Sequence, residues 1–440
     1  MKVAIVGYAT DGRVSAEYFA RHGHTVTLCD SDESLDVPNQ FAVQLGEAYL
    51  HGMATFDLIV RSSGIHPGHI LQDNPGVEAK ITTSVNEFLR VCPTRNTIGI
   101  TGTKGKGTTS TLTTKMLEAA GRTVWLGGNI GKSPLEFINQ VQPDDWVVLE
   151  LSSFQLSDIQ HSPHIAICLM VVPEHLNWHT DMADYIAAKS RLFAWQKSDD
   201  VAIYYAENDI SKHIASAGAG QKIRYYTSPG ARVNGNMITI AGVEICTTDE
   251  LKLLGKHNWQ NACAATTAVW QALRPNNPSE IDRVKTAIRG VLTTFSGLEH
   301  RLEFVRELHG VKYYDDSFGT TPETAIVAVQ AFEQPKIIIL GGSDKGASYD
   351  ELARVVASNN VKKALLIGDQ AARIQRALED AGFNDYIPGG NTMSEVLVNV
   401  QTVAHDGDVV LLSTGCASFG MFENYKDRGN QFKRGVQSLV

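Results

Sequence analysis

The densest chemistry in the 440-residue sequence lies in TIGITGTKGKGTT, residues 97–109. The apolar Ile98 and Ile100 lead into Gly102, Gly105 and Lys106, and then into Thr108 and Thr109. This pattern predicts a buried strand, a tight glycine turn with inward amides, and the start of a helix. A helix start offers unbonded amide donors and the positive end of its dipole, and Lys106 adds a full charge there. Such a loop holds phosphates. The full form G-x-x-x-x-G-K-[ST] is not met, because Ile100 stands at its first glycine. Other candidates follow along the chain. Glu150 closes the apolar run 146–151 and precedes Ser152, Ser153 and Gln155. A carboxylate there suits Mg²⁺ beside phosphates, or is simply a solvated strand end. PEHLNWH, residues 173–179, follows the apolar run 166–172. His175 is a candidate second metal ligand and His179 a weaker one, with core or capping histidines as the alternative. Lys189 falls on the apolar side of a helix predicted over 181–193, whose apolar positions are Tyr185, Ile186, Leu192 and Phe193. A snorkelling lysine is the ordinary explanation. Asn258 and Asn261 share one helix face, where they could meet a base or bridge within the protein. Asn129, in the turn GGNIG, could reach a ligand or belong to an ordinary loop.

These groups need scaffolding, and the chain supplies alternating strands and helices. Near the N-terminus, strands at Lys2–Val6, 25–29 and 57–61 and a helix at 14–21 form the βαβ pattern of a parallel sheet. The first turn, GYATDG, resembles a dinucleotide fingerprint but carries Ala9 at the middle glycine; Asp30 follows the second strand. NAD, another nucleotide-linked ligand and a plain tight turn all fit. Ser62, Ser63 and Gly64 fall at the same carboxyl edge. Further along, strands at 311–314, 336–340 and Val409–Leu412 run into the polar turns 315–321, 341–345 and 413–418, with another strand at 363–367. In an open parallel sheet such turns line one edge and build a ligand site. The expected architecture is α/β with three domains. These are an N-terminal Rossmann-like domain over 1–91, a central P-loop ATPase-like domain over 92–297, and a C-terminal Rossmann-like α/β domain over 298–440.

Net charge is −9, with both signs spread along the chain, which argues against nucleic-acid and membrane-surface partners. Six cysteines are scattered without a C-x-x-C pair, as expected of reduced thiols in a cytoplasmic protein. The chain opens directly on a strand with no signal-peptide pattern, and no apolar run is long enough for a bilayer span.

The blocks TGTKGKGTT, ELSSFQL, PEHLNWH with DYIAAKSRLF, GKHNWQNACAA, LEHRLE and DDSFGTT resemble the Mur ligases in order and spacing. The resemblance covers essentially the whole chain. The short N-terminal domain, GGNIG, ELSSFQL and STGCASFGMFENYKDRGNQF look most like the branch that adds D-glutamate to UDP-N-acetylmuramoyl-L-alanine. What this implies is ATP-driven amide formation in peptidoglycan precursor synthesis. A substrate carboxylate takes the γ-phosphoryl group, and an amino-acid amine then displaces phosphate from the acyl phosphate.

By the same resemblance, Gly102, Thr103, Lys104, Gly105, Lys106, Gly107, Thr108 and Thr109 would surround ATP phosphates. Lys106, Glu150, His175 and Lys189 would be catalytic. Thr108 and Glu150 would hold one Mg²⁺ and His175 a second, while Lys189 would be carbamylated and assist metal binding. Asn258 and Asn261 would approach adenine, and Arg301 and Asp316 would help close the C-terminal domain over the nucleotide. Ala9, Thr10, Asp30, Ser31 and Gly64 would take the uridine diphosphate end, and Asn129, Ser152 and Gln155 the sugar or peptide part. Thr320, Lys345, Ser418 and Tyr425 would hold the amino acid. Three positions depart from the expected pattern. Gly107 replaces a Ser or Thr, in a GKG form also found in folylpolyglutamate synthases; Phe318 replaces a lysine; and Tyr425 replaces a phenylalanine. The alternatives are a related ligase using another amino acid such as L-Glu, or a folate, then a non-ligating ATP sensor, then a dehydrogenase. No nucleic-acid or membrane partner is expected, and a monomer is.

Overall fold

The computed structural model describes residues 1–440 except Asn177, Leu254, Lys345 and Gly346. The β/α alternation folds into open sheets carried by two compact units. One comprises Met1–Lys252 with Lys256–Phe295, the other Leu253–Gly255 with Ser296–Val440. The α/β class expected from the sequence is the observed one.

The first sheet is fully parallel, in the order Ala42–Leu45, Thr25–Asp30, Lys2–Val6, Leu58–Arg61, Ile81–Thr82. Strand Lys2–Val6 therefore sits at a switch point, with its sequence successors on either side. The turns after it open a crevice at the carboxyl edge. The helix Thr10–Arg21 packs so closely on this strand that a Cβ on Gly12 would lie 1.9 Å from the Gly7 carbonyl oxygen. That explains the last glycine of GYATDG independently of any ligand.

The second sheet is also parallel, in the order Gln221–Tyr225, Val201–Tyr205, Ile165–Cys168, Thr97–Thr101, Trp146–Glu150, Val124–Gly128. Ile100 pairs with Glu150 and Thr101 with Cys168, so the glycine loop emerges between the ends of its two neighbours. A small antiparallel sheet, Arg232–Asn234, Met237–Ile240 and Val243–Thr247, precedes the helices His257–Leu273 and Pro278–Thr294.

The two parallel sheets of this unit share one apolar core. Phe88 meets Phe137 edge to face at 5.7 Å, and Trp125 stacks on Phe137 at 5.4 Å. Polar stitches reinforce it. Asp11 accepts hydrogen bonds from Ser84 Oγ at 2.7 Å and Ser133 Oγ at 2.6 Å. Arg61 is fully buried at the end of its strand and forks onto Asp158, Nε to Oδ2 at 2.6 Å and Nη2 to Oδ1 at 2.9 Å. Its remaining donors reach the carbonyls of Ile65 and Phe154 and the Ser157 hydroxyl.

In the other unit, six strands lie in the order Glu303–Leu308, Val311–Asp315, Val409–Leu412, Lys336–Gly341, Val361–Ile367, Tyr386–Pro388. Only the first pair is antiparallel. The three strands with polar turns are thus immediate neighbours. The block LEHRLE runs into the edge strand, which begins at Glu303. All six cysteines are free, and no described helix is long and apolar enough to cross a membrane.

The Arg61–Asp158 pair gives a stability prediction. Removing one member of a buried pair strands the other, at a cost of about 3–5 kcal/mol. Asp158→Ala should lower the unfolding free energy of the first unit by that amount in urea titration. Arg61→Met combined with Asp158→Leu should recover much of the loss. A single-variant effect below about 0.5 kcal/mol, ordinary for a surface site, would show that the pair contributes nothing.

Candidate active site

At the carboxyl edge of the central sheet, Gly105 begins the helix Lys106–Ala119 with φ +85°. A Cβ there would lie 2.2 Å from Asn261 Oδ1, so both backbone and neighbour demand glycine. Asn261 Oδ1 also accepts from Thr109 Oγ1 at 3.4 Å, and its Nδ2 donates to Asn258 Oδ1 at 2.9 Å. Of the two uses open to these asparagines, the internal bridge is present: they buttress the loop from behind. Thr103 is a staple. Its amide donates to the Met170 carbonyl at 2.9 Å and its hydroxyl donates to the Val172 carbonyl at 3.0 Å. The same hydroxyl lies 3.0 Å from Tyr185 Oη. Gly107 and Thr109 are buried and Thr108 half-buried in the first helical turn, while Lys104 is exposed and paired with Glu174.

Two lysines converge on this loop. Lys106 Nζ donates to the carbonyls of Gly102 at 3.1 Å and Thr103 at 3.0 Å. Lys189, on the helix Met182–Ala194, donates to the same Gly102 carbonyl at 2.9 Å and to Thr101 Oγ1 at 3.3 Å. It is 1 % exposed, so it does not snorkel. Its ammonium lies 4.6 Å from the centre of the Tyr185 ring. Burial first, and then repulsion from Lys106, push its pKa down to about 7. A neutral amine is therefore abundant at physiological pH.

Glu150 is buried beside the loop and accepts from Asn129 Nδ2 at 2.9 Å. The Asn129 amide also donates to the Glu150 carbonyl at 2.8 Å, fixing GGNIG against the strand end. Ser152 and Gln155 form a capping box on the short helix Ser153–Leu156, so both side chains already have local hydrogen bonds. His175 is half-open to solvent, with φ +59° and its ring edge-on to Phe154 at 4.9 Å. Burial, helped by Lys106, Lys189 and Lys104 and opposed by Glu174, holds its pKa below the usual value. That favours the neutral imidazole a metal requires. His179 differs. Its Nε2 lies 2.9 Å from Ser153 Oγ and its Nδ1 2.9 Å from Asp184 Oδ2, so neither nitrogen is available to a metal.

The crevice of the first sheet gathers Ala9, Thr10, Asp30, Ser31 and Gly64 at the ends of three neighbouring strands. Ala9, Thr10, Ser31 and Gly64 are exposed. Asp30 accepts the amides of Tyr8 at 2.7 Å and Asp32 at 3.1 Å, so it shapes two turns of the crevice wall. The Gly64 carbonyl accepts from Trp178 Nε1 at 3.3 Å.

In the C-terminal unit, Asp316 accepts from Ser413 Oγ at 2.6 Å and the Leu302 amide at 3.1 Å; burial nevertheless pushes its pKa up to about 7. The Arg301 guanidinium lies 3.8 Å from the centre of the Phe318 ring. Thr320 lines a cavity of about 130 Å³ with Ser343, Tyr349, Gly415 and Cys416. Ser343 Oγ is buried there without a hydrogen-bond partner among the described residues, as suits a polar ligand. Ser418 and Tyr425 are not among the lining residues. Lys345 lies outside the described residues. One residue missed by sequence reasoning is Arg428. It is fully buried and donates to Ser317 Oγ and the Ser317 carbonyl at 2.8 Å, and to the Cys416 carbonyl at 3.2 Å, locking two of the polar turns together. Its only signal was an arginine inside the C-terminal block DRGNQF.

Residues 100–269 match the Mur ligase middle domain, and residues 300–416 match the Mur ligase, glutamate ligase domain. A UDP-N-acetylmuramoylalanine–D-glutamate ligase from Clostridium kluyveri is 34% identical over 458 aligned positions, covering 100% of this chain and 97% of its own. The chain belongs to the Mur ligase family. The ligase of the same name from Clostridium tetani is 35% identical with the same coverage. The crystal structure of the UDP-N-acetylmuramate–alanine ligase MurC from Thermotoga maritima shares the Mur ligase fold. It has a TM-score of 0.57 and 16% identity, covering 100% of this chain and 99% of that one.

The two displaced pKa values act in different pH windows. An unfolded lysine releases its proton near its ordinary 10.5, whereas folded Lys189 does so at about 7. Between those values the unfolded chain binds more protons, so this residue makes stability rise with pH. Asp316 does the reverse: its folded pKa is about 7 against an ordinary 3.8, so its contribution is full at low pH and is lost as pH rises through 7. In bicarbonate-free buffer, Lys189→Met should flatten the rise between pH 7 and 10, and Asp316→Asn the fall between pH 4 and 7. Urea unfolding across pH checks both. A variant profile parallel to wild type would contradict the corresponding burial effect.

Proposed function

We propose that this Mur ligase joins D-glutamate to UDP-N-acetylmuramoyl-L-alanine, driven by ATP, in peptidoglycan precursor synthesis. The observation that carries the reading is Lys189: a buried amine beside Lys106 and the glycine loop, with a pKa lowered to about 7. A phosphate sensor needs the loop and Lys106 but has no use for a second, buried, nearly neutral lysine. The family names of the relatives favour D-glutamate over the alternatives.

The residues present fit ATP and Mg²⁺. Glu150 offers a buried carboxylate, Thr108 a hydroxyl in the first helical turn, and His175 an imidazole held toward neutrality. Magnesium, when bound, neutralises charge on the transferring phosphoryl group. The loop amides and Lys106 orient the phosphates and stabilise charge that grows on the bridging oxygen. Uncharged Lys189 can take up carbon dioxide with loss of one proton, which turns a neutral amine into an anion that would be able to join Glu150 around magnesium. The acyl phosphate then meets the amino-acid amine, and phosphate leaves.

Two binding regions complete the proposal. Ala9, Thr10, Asp30, Ser31 and Gly64 would take the uridine diphosphate, with Asn129, Ser152 and Gln155 toward the sugar and alanine. Thr320, Lys345, Ser418 and Tyr425 would hold glutamate, and Arg301, Asp316, Asn258 and Asn261 would serve the nucleotide. The free cysteines support a cytoplasmic setting.

The decisive assay supplies ATP, Mg²⁺ and UDP-N-acetylmuramoyl-L-alanine with D-Glu, L-Glu or other amino acids singly, reading phosphate release and product mass. An adduct with D-Glu alone is expected. Phosphate release without any adduct would overturn ligation. Lys189→Ala should lose activity and regain part of it with short-chain carboxylic acids; a folded variant that shows no rescue would argue against carbamylation. Lys345→Ala should raise the KM for D-Glu about 10- to 100-fold, the worth of a charged hydrogen bond. An effect confined to ATP affinity would refute that role.

A further inference from the structure

We propose that His179 is a positioning residue: with Ser153 and Asp184 it forms a bridge that sets Glu150 against Lys189. The inference rests on the reading of those two residues as magnesium-site groups. It is argued from geometry that their own roles do not require.

Glu150 and Lys189 come from different parts of the fold. Glu150 ends a central strand, and Lys189 lies seven residues into the helix Met182–Ala194. Covalent connectivity does not fix their separation, so packing must. Ser153 follows Glu150 by three residues and opens the short helix Ser153–Leu156. Asp184 lies in the first turn of the lysine helix, five residues before Lys189. His179 joins them, Nε2 to Ser153 Oγ at 2.9 Å and Nδ1 to Asp184 Oδ2 at 2.9 Å.

The bridge has a defined polarity. A carboxylate only accepts, so Nδ1 carries the proton toward Asp184; in the neutral ring Nε2 then accepts from the Ser153 hydroxyl. Asp184 is itself held. Its amide donates to Asp181 Oδ1 at 2.8 Å, and its carboxylate accepts the Thr180 amide at 3.3 Å. The imidazole has no exposed side-chain surface and lies among Trp178, Phe154 and Tyr185 at ring distances of 4.6, 5.9 and 5.2 Å. Tyr185 carries the chain of contacts onward, beneath the Lys189 ammonium and to Thr103 of the glycine loop. One side chain therefore touches the supports of all three pieces of the site. Losing either bond leaves a buried polar group unpaired, and the two elements can then shift.

The test separates the two bonds. His179→Asn keeps an amide near Nδ1 and loses Ser153; His179→Gln keeps one near Nε2 and loses Asp184; Ser153→Ala removes the hydroxyl alone. Mn²⁺ binding in the presence of ADP, followed by electron paramagnetic resonance on the full-length protein, gives a readout independent of turnover. Outer-shell partners of metal sites change affinity about 10- to 100-fold, and a loss in that range is expected for Ser153→Ala and for His179→Asn. The Mg²⁺ needed for half-maximal ligation should rise in parallel, with the KM for D-Glu within about twofold of wild type. Ser153→Ala combined with His179→Asn should cost no more than either alone, because both break one bond.

Unchanged Mn²⁺ affinity in folded Ser153→Ala and His179→Asn would overturn the proposal. So would loss of Mn²⁺ binding in His179→Gln with none in Ser153→Ala, which would make the imidazole a direct ligand. A wild-type protein that binds Mn²⁺ with ADP yet makes no adduct would overturn the ligase reading instead, and the metal titrations would still decide the bridge.

Discussion

The central site depends on a buried amine placed next to a second cation. Lys189 and Lys106 donate to one carbonyl oxygen, that of Gly102. Neither a carbonyl nor the Thr101 hydroxyl carries charge enough to compensate a fully desolvated ammonium. The protein's response is to let Lys189 give up its proton near neutrality. That response is useful only if the amine cannot escape to water, which explains the surrounding investment. Tyr185 covers it, Thr103 ties Tyr185 to the loop, and Asn261 holds the loop at Gly105, where a side chain would collide with it. An anionic phosphate or a carboxylate-like modification would relieve the same strain in electrostatics, so the architecture favours both without needing separate devices for each.

Strand order does the coarser positioning. Because Thr97–Thr101 runs between Ile165–Cys168 and Trp146–Glu150, loop, carboxylate and the His175 segment emerge side by side although Glu150 lies 44 residues after Lys106 and His175 a further 25. The crevice of the first sheet is brought to the same unit by a shared apolar core and by polar links rather than by one continuous sheet. Arg61 is the strongest of these. A fully buried guanidinium is tolerable only with every donor used, and its acceptors come from both sides: Ser62 and Ile65 near its own strand, Phe154, Ser157 and Asp158 just after the strand that ends in Glu150. A pair of this kind adds little net stability over an apolar replacement, but it defines one arrangement and penalises others.

Legibility in the sequence followed how local each interaction is. The glycine loop, the acid after its strand and the off-pattern lysine could be read because each is defined within a few residues by spacing and type. Most of the interior strands were legible as apolar runs, Val201–Tyr205 excepted. Edge strands such as Ala42–Leu45 and Tyr386–Pro388 were not, because they are too short for their few apolar residues to stand out as a run. His179 was legible as a histidine worth noticing. Its partners, Ser153 and Asp184, were not, since nothing along the chain shows which groups a ring will meet. Arg61 and Arg428 were invisible for the same reason: each looks like a surface arginine until the fold closes over it. Polar residues in the motif blocks were read first as ligand contacts, yet Ser152, Gln155 and Asp30 are also engaged in caps and turns. A motif can preserve a residue type because the backbone needs it, even at the edge of a site.

Phe318 shows how a departure from a family pattern can be absorbed. A lysine there would set an ammonium close to the Arg301 guanidinium, and the two would repel. The aromatic ring instead takes that guanidinium at 3.8 Å from its centre, and Tyr425 meets the same ring edge-on at 5.2 Å. Cation–π contact of this kind is worth roughly 0.5–2 kcal/mol, more when water is excluded. It also restricts a flexible side chain whose ordering would otherwise cost entropy on binding. The exchange removes one mobile charge and holds the remaining one in place. The C-terminal unit therefore keeps a directed cation at this edge, with one positive charge fewer than a lysine at position 318 would give.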